Sequence, residues 1–112
     1  MRTSSCKAKS RRLQDAVCKQ LLEHYKGILE EGDLHPAIMG TSGEDIKRSP
    51  LGKKVFPYSV ECKNQEKISI WAALQQAVEN CPEGDKPVVI FKRNRSETYA
   101  VLKFDDLLDL LP

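Results

Sequence analysis

The chain has 112 residues, of which 40% are hydrophobic and 30% are charged. This length predicts one domain around one core, and we expect no separate target-recognition domain within it. No apolar run approaches the roughly 18 residues that span a bilayer, and no apolar stretch follows the basic start, so neither a membrane segment nor a secretory signal is expected. We therefore expect a protein that acts in the cytoplasm and away from the membrane.

A long first helix is predicted over residues 11–29. Ser10 has a side chain that suits an N-cap, and the following residues form an apolar stripe. The stripe has steps of three and four residues and consists of Leu13, Val17, Leu21, Leu22 and Tyr25. Residues 1–10, which precede this helix, are predicted to form a basic N-terminal arm that is free to be disordered.

Two short strands and one helical turn are predicted next. The first strand covers residues 34–39, where Pro36 favours an edge position. The loop GTSGED then delivers Asp45 to a second strand over residues 45–48. Ser49 and Pro50 can open one short helical turn after it.

The second half of the chain alternates strands and helices. A strand is predicted over residues 58–63, then a helix from residue 68 or 69 to residue 80. The apolar run VVIF predicts a central strand that is covered on both faces, and RNRSE predicts a hairpin into a strand over residues 98–103. Asp105 can cap a last helix over residues 106–111. This order predicts an α/β fold with a central mixed β-sheet flanked by helices, in which residues 11–112 form one domain.

The cysteines do not have the spacing of a metal site. They are Cys6, Cys18, Cys62 and Cys81, with no CxxC pair and no histidine at ligand distance along the sequence. We expect reduced thiols, and Cys62 is predicted to be a small buried residue beside Val60.

The net charge of +2 conceals basic clusters. Residues 1–12 carry five basic side chains and no acidic one, and residues 46–67 carry six basic against two acidic side chains. A third cluster consists of Lys92, Arg93 and Arg95. Such clusters suit a polyanionic partner, and they also suit ordinary surface charge; composition leaves both open.

Three side chains suggest chemistry: Asp45 on one predicted strand, and Glu61 and Lys63 on the next. Alternate residues of a strand share a face, so Glu61 and Lys63 point the same way. If the two strands pair, Asp45 joins Glu61 at one edge of the sheet. Two carboxylates there suit Mg²⁺ or Mn²⁺, and the lysine can stabilise charge on a phosphate. The same pattern also describes an ordinary surface ion pair.

The run SGEDIKRSPLGKKVFPYSVECKN resembles the core motif of the PD-(D/E)XK nuclease superfamily, in particular its phage-encoded members and the archaeal Holliday-junction resolvases. The similarity covers residues 11–104. It implies a small restriction-endonuclease-like core that acts on DNA, inside the host cell for a phage protein. It also implies that Asp45, Glu61 and the Cys62 carbonyl are ligands of Mg²⁺ or Mn²⁺ and that Lys63 is the catalytic lysine.

Two residues depart from that pattern. Glu44 precedes Asp45 where proline is common in the superfamily. Many relatives carry a glutamate on the first helix that points at the metal, whereas the register here offers Gln14. An amide oxygen can ligate a metal without adding charge, and a surface position for Gln14 stays equally open. Asp15 is a poor substitute because adjacent helix positions point about 100° apart.

Further residues are predicted around this site. Superfamily members often use a glutamine on the helix after the lysine strand, which makes Gln76 or Gln75 an accessory candidate. Trp71 and Tyr99 can both stack on exposed bases, and core packing is the favoured alternative for Trp71. The candidate nucleic-acid-binding residues are Arg11, Arg12, Ser42, Lys53, Lys54, Asn64, Lys67, Arg93 and Arg95.

Two functions follow from these patterns. The first is a metal-dependent endonuclease that hydrolyses DNA phosphodiester bonds, with branched or Holliday-junction DNA as a structure-specific substrate. Symmetric cleavage of two strands by such an enzyme would require a homodimer. The second is a non-catalytic nucleic-acid-binding or assembly module that retains the nuclease fold, which Gln14 favours.

Overall fold

The computed structural model describes residues 3–38 and 40–112, with only the backbone of residues 3–6. The described elements are α1 (Thr3–His24), β1 (Leu34–Pro36), β2 (Ile46–Arg48), α2 (Pro50–Val55), β3 (Tyr58–Asn64), α3 (Ile70–Glu79), β4 (Lys86–Lys92), β5 (Tyr99–Leu102) and α4 (Phe104–Leu110). Within these ranges no helix combines the length and apolar character needed to cross a membrane.

Five strands form two sheets in the described part of the chain. The larger sheet has the order β3-β4-β5, with β3 parallel to β4 and β4 antiparallel to β5. Helix α3 supplies the crossover that two parallel strands require. Strands β1 and β2 form a separate antiparallel ribbon. The predicted α/β fold with a mixed sheet is confirmed in this form.

The core lies on both faces of the larger sheet. On one face, Val60, Cys62 and Val88 pack in a cluster with residues of α1. On the other face, Val89 packs against Ala73 and Ala77 of α3. Neighbouring residues of β4 therefore face opposite layers, as the run VVIF predicted for a covered central strand, and Cys62 is buried as expected.

Helix α1 differs from its predicted extent at both ends. It begins at Thr3, so Ser10 lies inside the helix and the predicted N-cap is wrong. No glycine or proline interrupts residues 3–10, and the Asn64 side chain donates a hydrogen bond of 3.0 Å to the Lys9 carbonyl. The helix ends five residues early because Gly27 adopts φ of +85°, a helix-ending conformation that favours glycine. Met1 and Arg2 lie outside the described residues.

Three other local predictions need correction. Strand β1 ends at Pro36, three residues early, and Met39 lies outside the described residues. Asp105 lies in the first turn of α4, where its negative charge interacts favourably with the positive end of the helix dipole. Lys103 occupies the N-cap position. Trp71, expected in the core, is 84% exposed on α3. The predicted helix starts at Ser49 and Ser69 are confirmed, since each serine oxygen accepts a backbone N–H of its helix.

Candidate metal and catalytic site

Asp45 is attached to the free edge of β3 by two hydrogen bonds. Its backbone N–H donates to the Val60 carbonyl at 2.8 Å. Its carboxylate oxygen Oδ2 accepts the Cys62 N–H at 2.7 Å. Strand β2 itself begins one residue later and forms its ladder with β1. The sequence suggested that the strand carrying Asp45 pairs with the strand carrying Glu61. In the structure the two hydrogen bonds of Asp45 take the place of that pairing, and they hold Asp45 against β3.

The Cys62 carbonyl points to the same edge. Along a strand, the N–H and C=O groups of one residue point to the same side. The Cys62 N–H points at Asp45, away from β4, so its carbonyl does as well. Outside helices and strand ladders, no backbone hydrogen bond in the described ranges uses this oxygen. A carbonyl oxygen and a carboxylate therefore lie together at this edge.

Glu61 brings a second carboxylate to this part of β3. Only 4% of it is exposed. Burial raises its pKa to about 7, and the negative charge of Asp45 adds to the rise, while the positive charge of Lys63 and the nearby Asn80 side chain oppose it. Burial also raises the pKa of Asp45, against the Cys62 N–H and the positive charges of Lys63 and Lys47. Two partly desolvated carboxylates thus lie within electrostatic range of each other, an arrangement that a divalent cation would stabilise.

Lys63 lies on the same face of β3 as Glu61. Its Nζ is 3.5 Å from Glu61 Oε2 and donates a hydrogen bond of 2.9 Å to Gln76 Oε1. A shallow pocket of about 130 Å³ opens at this lysine, with Gln76 and Ser69 in its wall. Gln76 therefore contacts the predicted catalytic lysine. Gln75 lies elsewhere, where its Nε2 is 3.4 Å from Glu79.

Gln14 is buried on α1, with 4% of its surface exposed, so the surface position that the sequence left open is excluded. Its Oε1 is the buried side-chain atom for which the described residues provide no hydrogen-bond partner. Along α1, Gln14 lies between Lys9, which contacts Asn64, and Cys18, which belongs to the same core cluster as Cys62. Gln14 therefore lies on the side of α1 that packs against β3, beside Leu13 and Val17 of the same core cluster.

These residues fit a hard divalent cation such as Mg²⁺ or Mn²⁺. The candidate donors at this edge are the carboxylates of Asp45 and Glu61 and the Cys62 carbonyl, all of which are oxygen atoms. The Gln14 amide oxygen on α1 is a further candidate, because it has no hydrogen-bond partner among the described residues. The described residues contain no group of three or more His, Cys, Asp or Glu side chains that could hold a metal. The protein therefore supplies two negative charges here, and water or a substrate phosphate would have to complete the coordination.

Sequence reasoning missed a buried ion-pair cluster behind Asp45. The Arg48 side chain is fully buried, and it donates to both carboxylate oxygens of Glu44 at 2.8 and 2.9 Å. It also donates to Asp85 at 2.6 Å and to the Phe56 carbonyl at 3.0 Å. Glu44, where the superfamily often has proline, thus holds β2 in place next to Asp45. The sequence pattern that could have indicated this cluster is the alternation of Glu44, Ile46 and Arg48, because alternate residues of a strand share one face.

Most of the predicted nucleic-acid-binding residues are exposed. They are Arg11, Arg12, Ser42, Lys53, Lys54, Lys67, Arg93 and Arg95. The ion pairs of the described residues use none of these lysines and arginines. Asn64 differs, because it is buried with its side chain bound to the Lys9 carbonyl. It supports the packing of α1 on β3, and its amide does not face solvent.

Comparisons with protein-family models, with curated proteins and with solved structures found no match to this chain. The likeness to the PD-(D/E)XK superfamily therefore stays a prediction that rests on the motif. Neither the activity nor the type of fold beyond α/β is assigned by similarity.

Proposed function

We propose that this protein is a metal-dependent endonuclease that hydrolyses DNA phosphodiester bonds on a restriction-endonuclease-like core. The observation that carries the proposal is the attachment of Asp45 to the edge of β3. Through it, one carboxylate reaches the Cys62 backbone, within electrostatic range of the buried Glu61 and Lys63. An ordinary surface ion pair between Glu61 and Lys63 would not explain why a second, partly desolvated carboxylate lies beside it.

The side chains take distinct roles in this proposal. Asp45, Glu61, the Cys62 carbonyl and Gln14 would hold Mg²⁺ or Mn²⁺. When bound, the ion would polarise the scissile phosphate and lower the pKa of a water. Lys63 would stabilise negative charge that develops on the phosphate, because its ammonium group is held in place by Glu61 and Gln76.

Exposed basic residues at both ends of the site would bind the DNA backbone. Lys53 and Lys54 lie on α2 beyond β2, and Lys47 and Lys53 line one shallow pocket with Asn80. Arg93 and Arg95 lie in the turn after β4. DNA affinity is expected to fall steeply with salt, with a log–log slope of about −0.9 for each phosphate neutralised. Affinity that is constant with salt would show that these charges serve solubility.

The test is a nicking assay with Mg²⁺ or Mn²⁺ on linear, single-stranded, flapped and four-way DNA. Lys63→Ala is expected to abolish nicking while circular dichroism and DNA binding stay unchanged. Lys86→Ala is the matched control, because Lys86 also pairs with a carboxylate, Asp109 at 3.2 Å, but lies beside Tyr58 at the other end of β3. Nicking by Lys63→Ala at the parent rate would contradict the proposal. Symmetric cuts in a four-way substrate, together with a dimeric mass in solution, would support a homodimer.

A non-catalytic nucleic-acid-binding or assembly module is the second candidate. The observation that favours it is the charge of the site, since Gln14 provides an amide where a third carboxylate would strengthen metal binding. DNA binding without nicking on every substrate and with both metals would support this module.

A further inference from the structure

A second pocket, of about 330 Å³, opens next to the Lys63 pocket. The two adjoin, because Gln65 and Ile68 line both of them. The second pocket lies past the end of β3, where the Gln65 N–H donates to the Lys92 carbonyl at 3.1 Å. Its volume is at the lower end of the range of about 300–1,000 Å³ that is usual for small-molecule sites.

Two aromatic rings form one wall of this pocket. Phe91 of β4 and Tyr99 of β5 are directly paired across the strands, with ring centroids 6.0 Å apart and planes tilted by 33°. Tyr99 is 57% exposed, which is unusual for a ring that serves only the core. A flat ligand could therefore stack on the tyrosine.

The pocket contains one unpaired cation. Arg93 lines it and takes part in no ion pair with the described residues. Lys92 also lines it, but its side chain alternates with Phe91 and lies on the face of its register partner Asn64, toward α1. The acidic lining residue, Glu66, already accepts the Asn94 N–H at 2.6 Å. Ser96 Oγ accepts the Arg93 N–H at 3.0 Å, so the turn that carries the arginine is held by side-chain contacts on both sides.

We propose that this pocket binds one unpaired nucleotide of a nucleic-acid strand. The base stacks on Tyr99 and Phe91, and the phosphate lies beside Arg93. A single-stranded segment is favoured over a peptide because an aromatic wall and an unpaired arginine together match a base and its phosphate, and every base has a face that can stack. If the protein is the nuclease proposed above, a nucleotide bound in this pocket would place the scissile bond near the junction of duplex and single strand. This part of the inference rests on the proposed function.

The test measures binding in EDTA, so that metal-dependent cleavage does not enter. The probes are a blunt duplex, the same duplex with a short single-stranded extension, and that extension built from abasic sites. For the parent, the extension is expected to tighten binding about tenfold, and abasic sites remove the gain. Tyr99→Leu is expected to lose the affinity gained from the extension, and Tyr99→Phe, which keeps the ring, is expected to retain it. Trp71→Leu is the matched control, because Trp71 is also exposed but lines a groove with Val78 and Pro87.

Equal affinity of the parent for the blunt and the extended duplex would overturn the proposal that this pocket binds a nucleotide. An equal loss of the affinity gained from the extension in Tyr99→Leu and Trp71→Leu would overturn it as well. The nicking assay separates this result from the proposed function. A protein that nicks DNA without preferring the extension has the activity without this pocket. A protein that prefers the extension and never nicks has the pocket without the nuclease.

Discussion

The carboxylate of Asp45 accepts the backbone N–H of Cys62 at 2.7 Å, which makes this side chain part of the fold as well as a candidate metal ligand. The same carboxylate lies within electrostatic range of Glu61 and Lys63. The two roles can be separated, because a hydrogen bond needs an oxygen atom whereas a divalent cation also needs negative charge.

Substitutions at Asp45 should separate stability from metal binding. Asp45→Asn keeps an acceptor for the Cys62 N–H, so the free energy of unfolding should stay within about 1 kcal/mol of the parent while Mg²⁺ binding is lost. Asp45→Ala leaves the N–H without a partner and should cost about 1–3 kcal/mol in addition. Urea denaturation and calorimetry measure the two effects. Mg²⁺ binding by Asp45→Asn with parent affinity would exclude Asp45 as a ligand.

Glu61 should make stability depend on pH in the absence of metal. Its pKa in the folded protein is about 7 against an ordinary value of 4.5, so the folded state holds a proton that the unfolded state releases. This proton stabilises the folded state fully below about pH 4.5. The free energy of unfolding should then fall by about 3 kcal/mol as the pH rises to about 7. Urea denaturation in EDTA should show a smaller loss over this range in Glu61→Gln. Equal losses in the parent and in Glu61→Gln would contradict the pKa shift, and the exposed Glu79→Gln serves as control.

The adjacent glutamines of α3 provide a matched pair for the role of Lys63. Gln76→Ala removes the hydrogen bond of 2.9 Å to Lys63 and should lower the nicking rate about tenfold. Because Gln76 acts through Lys63, the pH profile of the rate should change as well, and Gln76→Glu, which places a negative charge beside the ammonium group, should change it in the opposite direction. Gln75→Ala, which removes the 3.4 Å contact with Glu79, should change neither. Equal effects of the two alanine substitutions would mean that Gln76 does not position the lysine.

The alternation of residues in β3 was predictable, because it follows from local periodicity. Val60 and Cys62 face α1, and Glu61 and Lys63 face the other way, as the sequence indicates. The exposure of Trp71 could also have been derived. It lies two residues before Ala73, hence about 200° around the helix from the buried alanine face. Its hydrophobic character suggested the core, and helical geometry overrode that.

Other features depend on partners that are distant in the sequence. Arg48 is buried because Asp85, which lies 37 residues later, completes its hydrogen bonds, and no local pattern couples the two. The early start of α1 is supported by the contact of Asn64 with Lys9, 55 residues away. Such contacts arise only when the layers pack, so propensity alone could not provide them.

The buried cluster behind Asp45 should be costly to break. Arg48→Met leaves the carboxylates of Glu44 and Asp85 without their cation and should lower the free energy of unfolding by about 3–5 kcal/mol. Adding Glu44→Gln removes one uncompensated charge and should recover part of the loss. Thermal and urea denaturation measure both variants, with Lys26→Met at an exposed position as control. A loss in Arg48→Met as small as in the control would show that the cluster adds nothing to stability.

Gln14 provides the sharpest test of the metal site, because its buried amide oxygen has no partner among the described residues. Gln14→Glu adds a buried negative charge, which should destabilise the metal-free protein by repulsion from Asp45 and Glu61. With Mg²⁺ the sign reverses: a third carboxylate should tighten binding at least about tenfold, or about 1.4 kcal/mol, and enlarge the metal-induced rise in melting temperature. Gln20→Glu, at an exposed position of the same helix, should do neither. Calorimetry and thermal melts with and without Mg²⁺ decide the matter. If both variants match the parent in metal affinity, the Gln14 amide does not face the metal, and its oxygen is unpaired for another reason.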